Sequence, residues 1–282
     1  MTSANRSDPG LFGPRSITWR IHSDASMMVG GLRALLIQAL NPRAMAAVAQ
    51  HSNYREQPWQ RLMRTGEYII KTTFGDTETA HAAAARVRAI HKRISGVDDF
   101  TGEHYRADDP ELLLWIHCVE VHSFMTGFRT YGRELERDEI DRYVREMVTA
   151  AELVGLSGSE VPASYDDLRD YLSSQMMVAS PAARDGMRFV LFPPVPWPGG
   201  RYPRFPGSRV LVVPGRAAWA VPSAAAVAIL PEGARDAYGL PYLRPLIPSL
   251  RLSLAGFHRA MRLVAPPPPH IQELQAALRW AA

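Results

Sequence analysis

Helix-forming segments with clear starts and stops fill most of this sequence, and they constrain the fold more than any other feature. In the first 180 residues, apolar and alanine-rich stretches recur at helical spacing, with Pro, Asp, Ser or Glu near their starts. The predicted helices cover residues 27–40, 43–50, 58–73, 76–94, 110–131, 136–154 and 164–177. Because 282 residues can bury a full hydrophobic core, we predict an all-α fold with one globular helical domain over residues 1–282.

The pattern changes after residue 180, although residues 15–180 carry most of the motifs discussed below. Residues 193–207 contain six prolines, too many for a helix or a central strand, so we predict an irregular segment there. The stretch RVLVVPG that follows is apolar enough for a short strand. Residues from 217 onward, with the segment 246–263 and the end after 269, again favour helix.

Composition and charge exclude several classes of protein. The longest apolar stretches, residues 32–40 and 221–230, reach about half of the roughly 20 residues that a membrane span needs. The N-terminus MTSANRSDPGLFGPRS has Gly and Pro where a signal peptide needs an apolar segment, so we expect a cytoplasmic protein without an integral membrane span. The single cysteine, Cys118, excludes an internal disulfide and any zinc site built on several thiolates.

The basic residues are unevenly distributed. The net charge is only +4, but residues 181–282 hold 12 arginines against four acidic residues. That excess suits an anionic ligand or a membrane surface, and it is also compatible with no charged partner at all. No Lys/Arg run is present, so we expect no nucleic-acid partner.

Among the nine histidines, His91 has the most informative context. Ala80, Ala84, Val87, His91 and Ile94 follow each other at spacings of three or four, so they share one inward face of a helix. A buried imidazole nitrogen without a partner costs about 1–3 kcal/mol. His91 is therefore either a core histidine bonded to a backbone carbonyl or a metal ligand, and the sequence leaves both open.

Two further histidines, His117 and His122, lie in the apolar segment LLLWIHCVEVHS. Residues five apart on a helix point about 140° away from each other, so these two cannot bind one metal jointly. We expect His117 to border the same interior as Leu113 and Glu120, and His122 to be an edge or packing residue.

The segment RLMRTG contains Arg61, Arg64 and Thr65 within little more than one helical turn. Arg61 and Thr65 are four residues apart, so a guanidinium and a hydroxyl face the same way. Such a pair suits a carboxylate or a phosphate. The alternative is a solvated helix face whose threonine bonds back to the helix.

A di-iron carboxylate bundle is the main alternative metal site, since such bundles project Glu-x-x-His pairs inward. The chain offers one such pair, Glu78 and His81, where two are required. Nucleophile-elbow, P-loop, Rossmann and H-E-x-x-H motifs are absent from the sequence, and so is the C-x-x-C-H motif of covalent haem attachment. Any haem would be held noncovalently.

Several ordered segments of the chain resemble a single family. They are GPRSITWRIHSDASMMVGGLRALLIQALNPRAMAAVAQHS, WQRLMRTGEYIIKTTFG, VRAIHKRISG, YRADDPELLLWIH, YGRELERDEIDRYVREM and, near the C-terminus, ILPEGARDAYGL. The family contains the catalytic domain of rubber oxygenase (latex-clearing protein) and the MpaB-type oxygenases. The order and spacing of the segments match through about Met177.

The resemblance implies a globin-like helical core around noncovalent haem b, and oxidative cleavage of a carbon–carbon double bond in an apolar isoprenoid. It identifies His91 as the proximal iron ligand and places the family's Arg-x-x-Lys-Thr element on Arg61, Arg64 and Thr65. Arg61 and Thr65 would then lie near the haem, facing a propionate or an oxygen species, and His117 is a further pocket candidate. The sequence has Arg64 where rubber oxygenases have lysine, and a guanidinium does not lose its proton to bind iron.

Residues and resemblance together predict a haem b-dependent oxygenase that uses dioxygen or peroxide to oxidise a hydrophobic small molecule, with an isoprenoid or lipid as the expected class. Polyisoprene outside the cell is not the expected substrate, because we find no export signal or membrane anchor. The alternative is a haem-binding carrier or sensor without turnover, which would use the same His91. A helical lipid-binding protein without metal is a third hypothesis.

Overall fold

The computed structural model describes residues 8–194 and 219–264, which form helices joined by short loops and one two-stranded hairpin. The helices, in chain order, are α1 Ile17–His22, α2 Met27–Gln38, α3 Pro42–His51, α4 Pro58–Phe74, α5 Thr77–His91, α6 Pro110–Tyr131, α7 Arg137–Val154, α8 Tyr165–Ser174, α9 Pro181–Leu191, α10 at residues 219–228, α11 Glu232–Tyr238 and α12 Ile247–Val264. Strands β1 Ser95–Val97 and β2 His104–Arg106 pair antiparallel between α5 and α6. The predicted all-α fold is confirmed.

Capping residues explain why most predicted helices begin where they do. The side chains of Asn41, Asp76, Asp109 and Ser164 each accept a hydrogen bond from a backbone N–H in the first turn of the helix that follows. Proline occupies the first turn of α3, α4, α6 and α9, where its missing N–H has no helical partner to lose.

The structure corrects three details of the predicted pattern. Helix α5 ends at His91 rather than near Ile94, because residues 95–97 leave the helix to pair with residues 104–106. Helix α8 ends at Ser174, three residues before its predicted end. The short α1 and the hairpin were not predicted, since each is shorter than the window in which periodicity is clear. The helix α9 was also missed, although Ser180 and Pro181 are ordinary signals of a helix start.

Helix α6 lies at the centre of the molecule and contributes to a different core cluster on each side. Trp115 and Val119 join a cluster that includes residues of α2, α3 and α9 to α12. Phe124 and Phe128 join a second cluster with residues of α1, α7 and α8. The two faces of this one helix therefore lie in separate environments, so side chains on opposite faces of α6 can belong to different sites.

Helices α2 and α6 approach closely where Gly30 meets Gly127. A Cβ on Gly30 would lie 2.9 Å from the Cα of Phe124, and one on Gly127 would lie 3.0 Å from the backbone of Gly30. Backbone atoms cannot move aside as a flexible side chain can, so this crossing requires glycine.

We expect Gly30→Ala to lower the free energy of unfolding by about 1–3 kcal/mol through overpacking. The neighbouring Gly31→Ala is the matched control, because a Cβ there meets no atom within 4 Å. It should instead raise stability by about 0.5–1 kcal/mol, since glycine is the poorer helix former. Denaturant unfolding of the two variants measures the change in the free energy of unfolding for each. Equal changes in the two variants would contradict the close approach of α2 and α6.

Within residues 8–194 and 219–264, we find no helix with the length and apolar character required to cross a membrane. Most of the proline-rich segment predicted at 193–207, the strand proposed for RVLVVPG and the helix predicted after residue 269 lie outside the described residues. One domain spanning residues 1–282 stays a prediction.

Candidate functional site

The inward face predicted for α5 is present. Ala80 and Ala84 are fully buried, and Val87, His91 and Ile94 are half-buried. Asp76 begins the helix by accepting a hydrogen bond from the backbone N–H of Thr79. His91 is the last residue of α5, so its ring lies where the helix gives way to the hairpin loop.

The imidazole of His91 makes no hydrogen bond with any described residue. Its Nδ1 is buried and has no hydrogen-bond partner in the described parts of the chain. The pKa of His91 is lowered, first by burial and then by the positive charge of Arg61, while Asp108 opposes the shift. The ring is therefore neutral at physiological pH, which is the form that binds a metal.

His22 shows what a core histidine looks like in this protein. Its Nδ1 lies 2.9 Å from Thr73 Oγ1 and its Nε2 lies 3.0 Å from Tyr143 Oη, so both ring nitrogens have partners. Burial lowers its pKa to about 3. Among the described residues, His91 has no such hydroxyl partner, and no backbone carbonyl accepts a hydrogen bond from it as in a core histidine.

Helix α4 carries the three residues of the RLMRTG segment within little more than one turn, and their environments differ. Arg61 has no ion pair with a described residue, and its pKa is lowered by burial first and by Arg64 second. Its side chain is nevertheless open to solvent, so it lies in a recess of the surface. Thr65 donates to the carbonyl of Arg61 at 3.2 Å. Arg64 is exposed and donates to Gln60 Oε1 at 3.0 Å.

Helix α6 carries His117 and Glu120 three residues apart, so they share one face of that helix. His117 is 8% exposed and makes no hydrogen bond with a described residue, and burial lowers its pKa to about 4. Burial raises the pKa of Glu120 to about 7. The charge of Glu120 also raises the pKa of Tyr68 on α4, although burial is the larger cause of that shift.

Electrostatic interactions connect these side chains across three helices. Arg61, Thr65 and Tyr68 follow each other at spacings of four and three, so they share one face of α4. From that face Arg61 acts electrostatically on His91 of α5, and Tyr68 interacts with Glu120 of α6. We call the space bordered by α4, α5 and α6 at these residues the His91 recess.

Five residues of the His91 recess are candidates from the sequence alone: Arg61, Thr65, His91, His117 and Glu120. For Glu120 the sequence predicted only a position at the border of the interior, and it gave no reason to select Tyr68. The available signal was an acid inside the otherwise apolar run LLLWIHCVEV. His122 points away from the recess, as the helical spacing predicts: its Nδ1 lies 3.2 Å from Arg33 and its ring stacks on Tyr165.

The di-iron alternative finds no support in the positions of its residues. Glu78 and His81 are both exposed on α5 rather than directed inward. In the part of the chain that the structure describes, we find no group of three or more His, Cys, Asp or Glu residues that could hold a metal ion.

The model of one protein family matches residues 19–265, and its description is "ER-bound oxygenase mpaB/B'/Rubber oxygenase, catalytic domain". The chain belongs to this family. The resemblance inferred from the sequence motifs is thereby confirmed. As a family of oxygenase catalytic domains, it supports an oxygenase function that uses oxygen and a small-molecule substrate. Comparisons with curated proteins and with solved structures found no match.

Proposed function

We propose that this chain is a haem b-dependent oxygenase that oxidises a hydrophobic small molecule, and that His91 would bind the iron. The observation that carries the proposal is the half-buried, neutral imidazole of His91, which no described residue bonds. A neutral ring nitrogen without a protein partner is what an iron ligand requires. Membership of an oxygenase family supports the reaction class.

The residues around the recess fit a haem. A haem iron needs few ligands from the protein, so the imidazole of His91 would suffice to hold it. Arg61 is cationic and has no acidic partner among the described residues, so it can pair with a propionate carboxylate. Thr65 lies one turn from it on the same face. His117 lies on the same face of α6 as Glu120 and is neutral at physiological pH, since burial lowers its pKa to about 4.

When bound, haem supplies the oxidising chemistry with dioxygen or peroxide. The protein contributes binding, charge and proton handling. His91 holds the group from one end of α5, and Arg61 balances negative charge at the edge of the recess. Glu120, whose pKa of about 7 lets it exist in either form near neutral pH, accepts or returns a proton.

Arg64 has a different place in this proposal from the lysine of the rubber oxygenases. It is exposed, bonds to Gln60 on its own helix and keeps its proton. We propose that it adds positive charge beside Arg61, whose pKa it lowers, rather than binding iron.

For the substrate, we propose an isoprenoid or lipid whose carbon–carbon double bond is cleaved.

The test is reconstitution of the purified protein with haem. We expect a Soret band, and oxygen consumption with carbonyl products when an unsaturated isoprenoid such as squalene or a polyunsaturated fatty ester is supplied. A Soret band without any oxidised product from either class would favour the carrier or sensor. A spectrum that stays that of free haem when the protein is mixed with excess haem would refute haem binding altogether.

A further inference from the structure

A buried arginine lies on the other side of α6 from the His91 recess. Arg33 of α2 is 2% exposed. Its Nε donates to the carbonyl of Ile229 at 2.9 Å and its Nη1 donates to Ser123 Oγ at 2.6 Å. Its Nη2 lies 3.2 Å from Nδ1 of His122. These three contacts occupy three of the five N–H donors of a guanidinium.

None of these partners carries a negative charge. No carboxylate within residues 8–194 and 219–264 forms an ion pair with Arg33. Burial lowers the pKa of Arg33 to about 9, so the group stays charged at neutral pH. A charge taken out of water without a counter-charge is costly, and a bound anion would offset that cost.

Arg33 opens onto a cavity of about 410 Å³, which is within the size range of sites for small organic molecules. Much of its wall is apolar and comes from α2, α6, the end of α8 and the loop before α11. The apolar lining residues are Ile37, Val119, Leu172, Met177 and Pro231.

The charged groups of the cavity cluster with Arg33. His122 and Arg169 also line it, and Asp170 is the acidic residue beside them. The pKa of His122 is lowered to about 3 by burial first and then by Arg33, Arg129 and Arg169, so this end of the cavity carries positive potential and a neutral imidazole. The charge of Asp170 opposes a dianion more strongly than a monoanion.

We propose that this cavity binds a small amphiphilic monocarboxylate, with its carboxylate on Arg33 and Arg169 and its hydrocarbon chain along the apolar wall. The site is separate from the His91 recess, because His117 and His122 point to opposite sides of α6. The proposal does not depend on haem binding.

The test is calorimetric titration of the full-length protein with octanoate, which carries both features of the ligand. We expect saturable binding of one octanoate, and at least about tenfold weaker binding of acetate and of octanol, each of which lacks one feature. Titration with inorganic phosphate tests whether the site selects a carboxylate with a hydrocarbon chain over another anion. If phosphate binds as tightly as octanoate, the proposal of an amphiphilic monocarboxylate is wrong.

Filling the cavity gives a variant that leaves the charges in place. Gly233 lines the cavity, and a Cβ there meets no atom within 4 Å. Gly233→Phe should weaken octanoate binding at least about tenfold. Gly256→Phe is the matched control, because a Cβ at Gly256 also meets no atom within 4 Å and the residue does not line the cavity.

Removing charge gives a second, independent variant. Arg33→Gln removes three buried contacts and is expected to unfold part of the protein, so the exposed Arg169 is the better choice. We expect Arg169→Gln to weaken binding about three- to tenfold, with more effect at low salt, while the exposed control Arg133→Gln leaves it unchanged. Undiminished octanoate binding by folded Gly233→Phe and Arg169→Gln would overturn the proposal.

Discussion

Replacing His91 with alanine is expected to remove iron coordination from the haem-loaded protein. Losing a supporting contact to a metal ligand already costs 10- to 100-fold in affinity, so loss of the ligand itself should weaken haem binding by at least about 100-fold. The Soret band should broaden and shift toward that of free haem, and substrate oxidation should cease. Free imidazole added to the variant should restore the band, because it can occupy the space that the side chain has left.

The apoprotein should tolerate this change. His91 makes no hydrogen bond with the described residues and one of its nitrogens is buried without a partner, so we expect the free energy of unfolding to change by less than about 1 kcal/mol. His81→Ala is the matched control, since His81 is exposed ten residues earlier on the same helix. An unchanged Soret band in folded His91→Ala protein would show that the iron is held elsewhere.

The helical framework could be predicted because its signals are local. The face that contains Ala80, Ala84 and His91 follows from spacing along one helix, and Asp76 begins that helix by a contact three residues away. The hairpin formed by residues 95–97 and 104–106 escaped prediction, because three-residue strands are too short to show alternation.

The partners of the buried polar groups could not be predicted, because they lie far apart in the sequence. The separation of His22 from Tyr143 is 121 residues, and that of Arg33 from Ile229 is 196 residues. Spacing along the chain identifies a histidine that faces inward, as it did for His91. It does not show whether another segment places a hydroxyl within hydrogen-bonding distance of the imidazole. The difference between a core histidine and a candidate iron ligand appears only in the folded structure.

The same limit applies to Glu120, whose ionisation depends on its surroundings. We expect Glu120→Gln to lower kcat by about 10²- to 10⁴-fold, the usual contribution of a positioned acid or base. Cleavage of a double bond by dioxygen leaves no net proton, so Glu120 would accept a proton from the substrate carbon and later return it. Activity should therefore follow the ionised carboxylate that can accept it. Wild-type activity should rise as pH passes through about 7, and the residual activity of the variant should lack that rise. Initial rates from pH 5.5 to 8.5 measure both effects.

A second signature of Glu120 needs no haem and no substrate. Burial raises its pKa from 4.5 to about 7 in the folded protein. Between these values the unfolded chain releases the proton while the folded chain keeps it, so the free energy of unfolding falls as pH rises through this range. Glu120→Gln should remove that part of the pH dependence. Glu111→Gln, which changes a 76% exposed carboxylate on the same helix, should keep both the fall in stability and the pH profile of activity. If Glu120→Gln instead retains the wild-type kcat and the wild-type rise near pH 7, the proton acceptor is another group.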